Sequence, residues 1–310
     1  MKIALVGIGE IARNQHVPAI AASPDWELAA TVSRSGTVEG VEAFTSIDAM
    51  LDARSDIGVV SLCLPPVPRF AYAAKALRAG RHVMLEKPPG ATLAECAALE
   101  QIAQAEGVTL YASWHSREAE MVRPAKEWLV DKALKSLRIV WKEDVRRWHP
   151  GQDWIWEPGG LGVFDPGINA LSIMTEILPQ PVHLNQAVLE VPANKQAPIA
   201  AQIGFAHPGG AEVTAQFDWR LDGGDIWSIF VETDAGALAL HDGGARMELG
   251  GVAQPGPAEG AALAGEYPRL YANMARLVAD GRSDMDISPL RHVADAFMLG
   301  RRTVVAPFEE

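Results

Sequence analysis

The alternation of apolar and polar positions changes period repeatedly through the first third of the chain. KIALVG (2–7) is an unbroken apolar run that predicts a buried strand, and a helix follows through Ala22. WELAATVS, IGVVSLC, HVMLE and VTLYAS predict four further strands. Helices are expected between them at SIDAMLDA, at residues 69–79 and at residues 92–107. Gly80 and Gly107 stand where a left-handed residue closes a helix, and Thr92 with Glu95 has the spacing of a capping box. Strands alternating with helices at this spacing imply an α/β domain: a doubly wound parallel sheet covered on both faces.

After about Ser116 the pattern changes. A helix over 119–130 leads into the strand SLRIVWKEDV, then an aromatic loop, then the helix DPGINALSIMTEIL. Asp165 is read as the N-cap of that helix, with Pro166 at its first position. Residues 181–249 read as strands joined by tight turns such as HPGG and TDAG, which predicts a largely antiparallel open sheet. Helices over 267–280 and 289–302 complete the chain. Two unlike sheets imply two domains, 1–118 and a C-terminal α+β domain over 119–310. The last helix is free to pack back on the first domain, and a ligand cleft is expected between the two.

Composition narrows the function classes. Of 310 residues 48% are hydrophobic and 21% charged, enough for sizeable cores, and disorder is expected only at the tip of 251–265. The net charge of −12 argues against nucleic acid or an anionic membrane as main partner. The basic residues Lys132, Lys135, Arg138, Lys142, Arg146 and Arg147 read as a solvated face. Cys63 and Cys96 sit in apolar surroundings and read as buried thiols of a reducing compartment. With no signal-peptide core and no apolar run of membrane-spanning length, a soluble cytoplasmic protein is expected. A homo-oligomer is compatible with this. The histidines and cysteines show no metal-ligand spacing, so no metal is expected.

VGIGEIA places Gly7, Gly9 and Ala12 in the spacing G-x-G-x-x-A, after the first strand and opening a helix. Gly7 permits the tight turn, Gly9 lets backbone approach a pyrophosphate, and Ala12 allows close helix–strand packing. This predicts a dinucleotide site of the Rossmann type, with Ile11, Pro65 and Glu86 assigned to cofactor binding beside the glycines. The second strand ends TVSRS with no carboxylate to hold a ribose 2′-hydroxyl. Ser33 and Arg34 can instead bind a 2′-phosphate, so NADP is expected to be preferred, with NAD as the alternative. LEKPPG follows the fourth predicted strand and places Lys87 between stiff prolines at the nicotinamide end of the sheet. An apolar cleft and an oxidised nicotinamide would lower its proton affinity, as base catalysis by lysine requires. Asp165 and Asn169, four residues apart, share a helix face, and Gly159, Gly160, Gly162 and Gly167 are read as leaving that face open to a ligand.

GIGEIA, EKPPG and GGLGVFDPGIN together resemble the glucose–fructose oxidoreductase/inositol dehydrogenase (Gfo/Idh/MocA) family. The resemblance implies oxidation of a sugar or polyol with a nicotinamide cofactor, with Lys87 and Asp165 at the family's lysine and aspartate. The family's usual histidine is here Asn169, which cannot take a proton, and that throws the role of base onto Lys87. The stretch 141–173 and YASWHSR around His115 are similar to bacterial aldose 1-dehydrogenases that act on L-arabinose and D-galactose. Sugars carry a polar rim and apolar C–H faces, which accounts for WHPGQDWIWEPGG: aromatic rings beside hydroxyl-binding groups suit a sugar cleft. Trp148 is the expected platform, Trp227 a further substrate contact, and Trp154 and Trp156 are open between platform and core. The expected reaction is hydride transfer from C1 of an aldose to NAD(P), giving the aldonolactone, with Lys87, Asp165 and Asn169 catalytic and His115 binding a hydroxyl. An inositol dehydrogenase, a carbonyl reductase and a non-catalytic NADP-binding sensor remain the alternatives.

Overall fold

The computed structural model describes residues 1–256 and 265–309, which fall into two compact units. The first unit holds Met1–His115 and Gly265–Ile287, the second Ser116–Ala264 and Ser288–Glu310.

The first unit is built on six parallel strands, β1 (Lys2–Val6), β2 (Glu27–Val32), β3 (Glu42–Phe44), β4 (Val59–Leu62), β5 (His82–Leu85) and β6 (Leu110–Ala112). Their order is β3-β2-β1-β4-β5-β6, so connections reverse direction between β1 and β4. All of β4 and all of β1 beyond Lys2 are buried, which is why these strands read as unbroken apolar runs. Helices α1 (Val17–Ala22), α2 (Ile47–Ala53), α3 (Pro66–Arg78) and α4 (Leu93–Glu106) make the crossovers. Both halves of the Thr92/Glu95 capping box are present, and Gly80 and Gly107 take φ of +72° and +66°. β3 escapes the sequence pattern because it is a three-residue edge strand without a buried position. A π-helical stretch, Ala12–His16, joins the glycine turn to α1.

The second unit contains α5 (Val122–Leu129), β7 (Leu134–Lys142), α6 (Val145–Trp148), α7 (Phe164–Ile177), β8 (His183–Pro192), β9 (Ala200–Ala206), β10 (Glu212–Asp218), β11 (Ile226–Thr233), β12 (Gly236–His241), β13 (Arg246–Leu249) and β14 (Val252–Ala253). The chain then supplies α8 (Glu266–Asp280) to the first unit, and α9 (Ser288–Leu299) and β15 (Arg301–Val305) to the second. The nine strands run β14-β13-β12-β11-β7-β10-β9-β8-β15. The pairs β7/β10 and β8/β15 are parallel and the others antiparallel, so the sheet is mixed but mostly antiparallel. Leu137, Ile139 and Trp141 of β7 and Val213, Ala215 and Phe217 of β10 alternate into the core, where Phe217 meets Phe164 of α7 at 5.8 Å.

Several expectations are corrected. The first break falls between 115 and 116 rather than after 118, and the second domain is not continuous over 119–310. The helix that belongs with the first unit is α8, not the last helix, because its buried Tyr267, Leu270, Tyr271 and Met274 face that unit's core. The last helix stops at Leu299, and RRTVV forms an edge strand that its two leading arginines disguised. Of the tip expected to be disordered, residues 257–264 lie outside the described residues. Asp165 is not an N-cap: α7 starts at Phe164 after Val163, leaving Asp165 second and Pro166 third. Gly162, at φ +54°, turns the chain one step earlier than expected, and Asp165 N already bonds Gly162 O at 2.8 Å. Proline is tolerated there because the third residue's N–H has no intrahelical acceptor. Among the described residues no helix is long and apolar enough to cross a membrane.

Candidate active site

Each unit carries its own set of candidate residues. In the first unit they gather at the carboxyl ends of β1, β4 and β5, where open parallel sheets bind ligands. Gly7 has φ +88°, and a Cβ there would meet Leu64 at 3.0 Å, so both backbone shape and space demand glycine. A Cβ on Gly9 would meet nothing within 4 Å, which leaves the open approach a pyrophosphate needs. Ile11 and Pro65 are exposed at the same edge. Ser33 Oγ accepts from Gly36 N at 3.1 Å, shaping the turn after β2, and its own hydrogen can still be donated. Arg34 is exposed beside it, and Arg13 ties the loop down by donating to Thr37 O at 2.9 Å. These residues fit a nicotinamide dinucleotide.

Lys87 is half-buried after β5, and its backbone N–H donates to its neighbour's carboxylate, Glu86 Oε2, at 2.7 Å. Glu86 is turned to the interior, 5% exposed, where Oε1 accepts from Tyr267 at 2.7 Å and lies 3.2 Å from His16 Nε2. The cofactor role expected for Glu86 thus has an interior competitor. His115 is buried, its Nδ1 is 2.6 Å from Glu266 Oε2, and its ring stacks on Tyr267 at 5.6 Å. Carboxylate and ring together fix the orientation of the imidazole.

In the second unit the aromatic residues surround carboxylates. Trp148, at the end of α6, is 37% exposed, lies 5.4 Å from Trp227, and donates its indole hydrogen to Asp225 Oδ1 at 3.1 Å. Trp227 pairs across β11 and β7 with Trp141, the rings stacked at 5.8 Å. The indoles of Trp219 and Trp227 both donate to Glu143, at 3.2 and 2.8 Å. Burial pushes the Glu143 carboxyl up to about 7; the two indole donors oppose this, and the charges of Asp165 and Asp225 add to it. Asp165 Oδ2 lies 3.4 Å from His149 Nε2, and the His149 ring is 5.3 Å from Trp219. Asn169 is half-buried one turn beyond Asp165 on α7, so the shared helix face holds although the capping role does not. The structure therefore brings Trp148 and Trp227 together, and sets Asp165 with His149 and Glu143.

The glycines have a different task from the one expected. Added Cβ atoms would meet the Trp154 and Ile155 carbonyls at Gly160, Pro198 O at Gly162 and the Phe217 ring at Gly167. They let backbone pack against protein rather than against a ligand. Trp156 is core, packed on Trp219 and Phe308, while Trp154 is half-buried. Glu143, His149, Asp225 and Trp219 escaped the sequence reading. One signal was available: positions 137, 139, 141 and 143 share a parity, which puts a carboxylate on the buried side of an apolar series.

The Gfo/Idh/MocA model, an oxidoreductase family with an NAD-binding Rossmann fold, matches residues 1–113. A galactose 1-dehydrogenase of Pseudomonas fluorescens is 43% identical over 308 residues, 99% of this chain and 98% of that protein. Among solved structures, a D-galactose-1-dehydrogenase from Rhizobium etli is 54% identical with a TM-score of 0.94, covering 99% of this chain and 97% of that one. A 3-ketoreductase from Actinomadura kijaniata, solved with NADP and TDP-benzene, reaches a TM-score of 0.82 at 19% identity over 100% of this chain and 99% of that one, a likeness of fold alone.

Proposed function

Because the chain belongs to the Gfo/Idh/MocA family of oxidoreductases, we propose a complete reaction and the residues that carry it. The protein is an NAD(P)-dependent aldose dehydrogenase. Its proposed substrates are D-galactose and L-arabinose, oxidised at C1 to the aldonolactone, with NADP preferred over NAD.

The observation that carries the sugar reading is the second unit's juxtaposition of Trp148 and Trp227 with Glu143, Asp165 and Asp225. A pyranose has apolar C–H faces and a rim of hydroxyls, and indole rings beside carboxylates complement both. A nicotinamide cofactor, when bound, supplies the acceptor for the hydride leaving C1. Lys87 takes the C1 hydroxyl proton, since the amide of Asn169 cannot. Asp165 and Asn169 hold neighbouring hydroxyls, which lowers the barrier by orientation. His115, its ring set by Glu266 and Tyr267, takes a further hydroxyl. Ser33 and Arg34 support the NADP preference: a hydroxyl and a guanidinium stand where an NAD-specific site has a carboxylate.

The test is the ultraviolet absorbance of reduced cofactor with NADP and each of D-galactose, L-arabinose, D-glucose and an inositol. Reduction with the first two is expected. No reduction with either would remove the sugar assignment, and reduction with the inositol alone would move it to a polyol.

A further inference from the structure

The loop bearing Lys87 is gripped from the interior by groups that the reaction scheme leaves unused. Arg69 of α3 is 2% exposed, and its guanidinium donates to the carbonyls of Glu86 and Pro88, one on each side of Lys87. It also donates to Leu64 O, with Nε at 3.1 Å, so the loop after β4 is held by the same side chain. On the N–H side, Glu86 Oε2 holds the Lys87 amide at 2.7 Å, and Glu86 N is anchored on Leu62 O at 3.1 Å. The Glu86–Lys87 peptide is therefore held at both its oxygen and its N–H, and the peptides on either side of the loop, Leu85–Glu86 and Pro88–Pro89, are held at one group each.

Glu86 is fixed in turn. His16, fully buried at the end of the π-helical stretch, places Nε2 3.2 Å from Glu86 Oε1 and Nδ1 2.7 Å from the Tyr271 hydroxyl. Tyr271 donates its hydrogen to Ser61 Oγ at 3.3 Å, so its oxygen accepts from Nδ1. With Nε2 facing a carboxylate and Nδ1 a hydroxyl oxygen, the ring is placed to donate from both nitrogens, the arrangement that favours the imidazolium form. The pKa directions agree: burial opposes both charges, yet His16 stays well above the ordinary histidine value, raised by Cys63, Tyr271 and Glu86. Glu86 stays well below the carboxylate range, lowered by His16, His115 and Tyr267. The two shifts share the His16–Glu86 contact, while Cys63 and Tyr271 contribute more to holding His16 up.

We infer that Arg69, Glu86 and His16 are positioning residues for Lys87, a buried clamp that aims its side chain through its backbone. The inference rests on Lys87 being the proton acceptor. It explains why an ion pair is kept in an interior where removal of one partner leaves an uncompensated charge. It also gives the π-helical stretch a purpose, since such wide turns mark functional positions and this one carries His16 inward beside the glycine turn.

The experiment compares Glu86→Gln, His16→Gln and Tyr267→Phe with wild type in kcat, sugar KM and NADP affinity, with circular dichroism to confirm folding. Misplacing a reacting group by about 1 Å lowers rate roughly a hundredfold. Glu86→Gln and His16→Gln are therefore expected to lower kcat roughly ten- to a hundredfold while KM and NADP affinity stay nearly constant. A folded Glu86→Gln with wild-type kcat, or a loss confined to NADP affinity, overturns the clamp. Should the charge variants not fold, Tyr267→Phe removes one hydroxyl from Glu86 and leaves the ion pair; a severalfold lower kcat supports the clamp and an unchanged kcat overturns it. Lys87→Met separates the two readings. If it remains active, the assignment of Lys87 fails; if it is inactive while folded Glu86→Gln is not, only the clamp fails.

Discussion

Glu143 Oε2 accepts the indole hydrogen of Trp227 at 2.8 Å, on a carboxyl that is 3% exposed. Two indole donors do not repay the burial, so the acid titrates at about 7 rather than 4.5. The folded state then holds a proton that the unfolded chain gives up. The associated stability is present in full below the ordinary carboxylate pKa and is lost as pH rises through about 7. A gap of this size amounts to on the order of 3 kcal/mol. Melting temperature in wild type is therefore expected to fall more steeply between about pH 5 and pH 8 than in Glu143→Gln, by calorimetry. Parallel profiles would show that Glu143 titrates normally.

Arg34→Ala is expected to raise KM for NADP and spare NAD. Loss of a charge-assisted contact costs about 1.5–3 kcal/mol, roughly ten- to a hundredfold. Initial rates with both cofactors decide it, and an equal loss with each would give Arg34 another role.

Lys87→Met is expected to abolish turnover while NADP binding, followed by fluorescence titration, stays nearly intact. Residual activity above roughly a tenth of wild type would remove Lys87 as general base, because general bases contribute about a hundredfold or more.

L-Arabinose and D-galactose share configuration at C2, C3 and C4 and differ in the hydroxymethyl group, whereas D-glucose inverts C4. A wrong hydroxyl leaves a buried polar group unpaired at about 1–3 kcal/mol, so D-glucose should fall roughly ten- to a hundredfold in kcat/KM. Asn169→Ala should lower the rate and narrow that gap. Equal kcat/KM for galactose and glucose in wild type would keep the reaction and discard the hydroxyl-reading role.

Gly167→Ala sets two effects against each other. Alanine is better than glycine in a helix by about 1 kcal/mol. The new methyl, however, would lie 3.1 Å from the Phe217 ring in the core, and overpacking costs about 1–3 kcal/mol. A net loss of stability is expected in chemical denaturation, and a gain would mean that Phe217 yields freely.

The residues legible from the sequence are those whose place follows from local pattern. Gly7, Gly9 and Lys87 fall at strand ends because strand and helix alternate, and Thr92 caps α4 through a contact three residues long. Asp165 misled because Asp-Pro looks alike at the cap and two positions inside it; the deciding contact is Gly162 with Pro198, far along the chain. Glu143 draws its partners from 76 and 84 residues away, and His16 meets Tyr271 across 255. No period along the chain carries such pairings. The grouping of α8 with the first unit was lost for the same reason.

That grouping bears on how the protein is made. A ribosome delivers β1 to β6 early, yet the Tyr267 and Tyr271 hydroxyls that serve Glu86 and His16 emerge only with α8. The second unit likewise waits for β15 to cover the free edge of β8. During translation the nascent parallel sheet would carry a carboxylate and an imidazole in its interior without their hydroxyl partners, an arrangement buried charges do not tolerate. Neither unit can be finished in sequence order: the first awaits α8, and the second awaits β15.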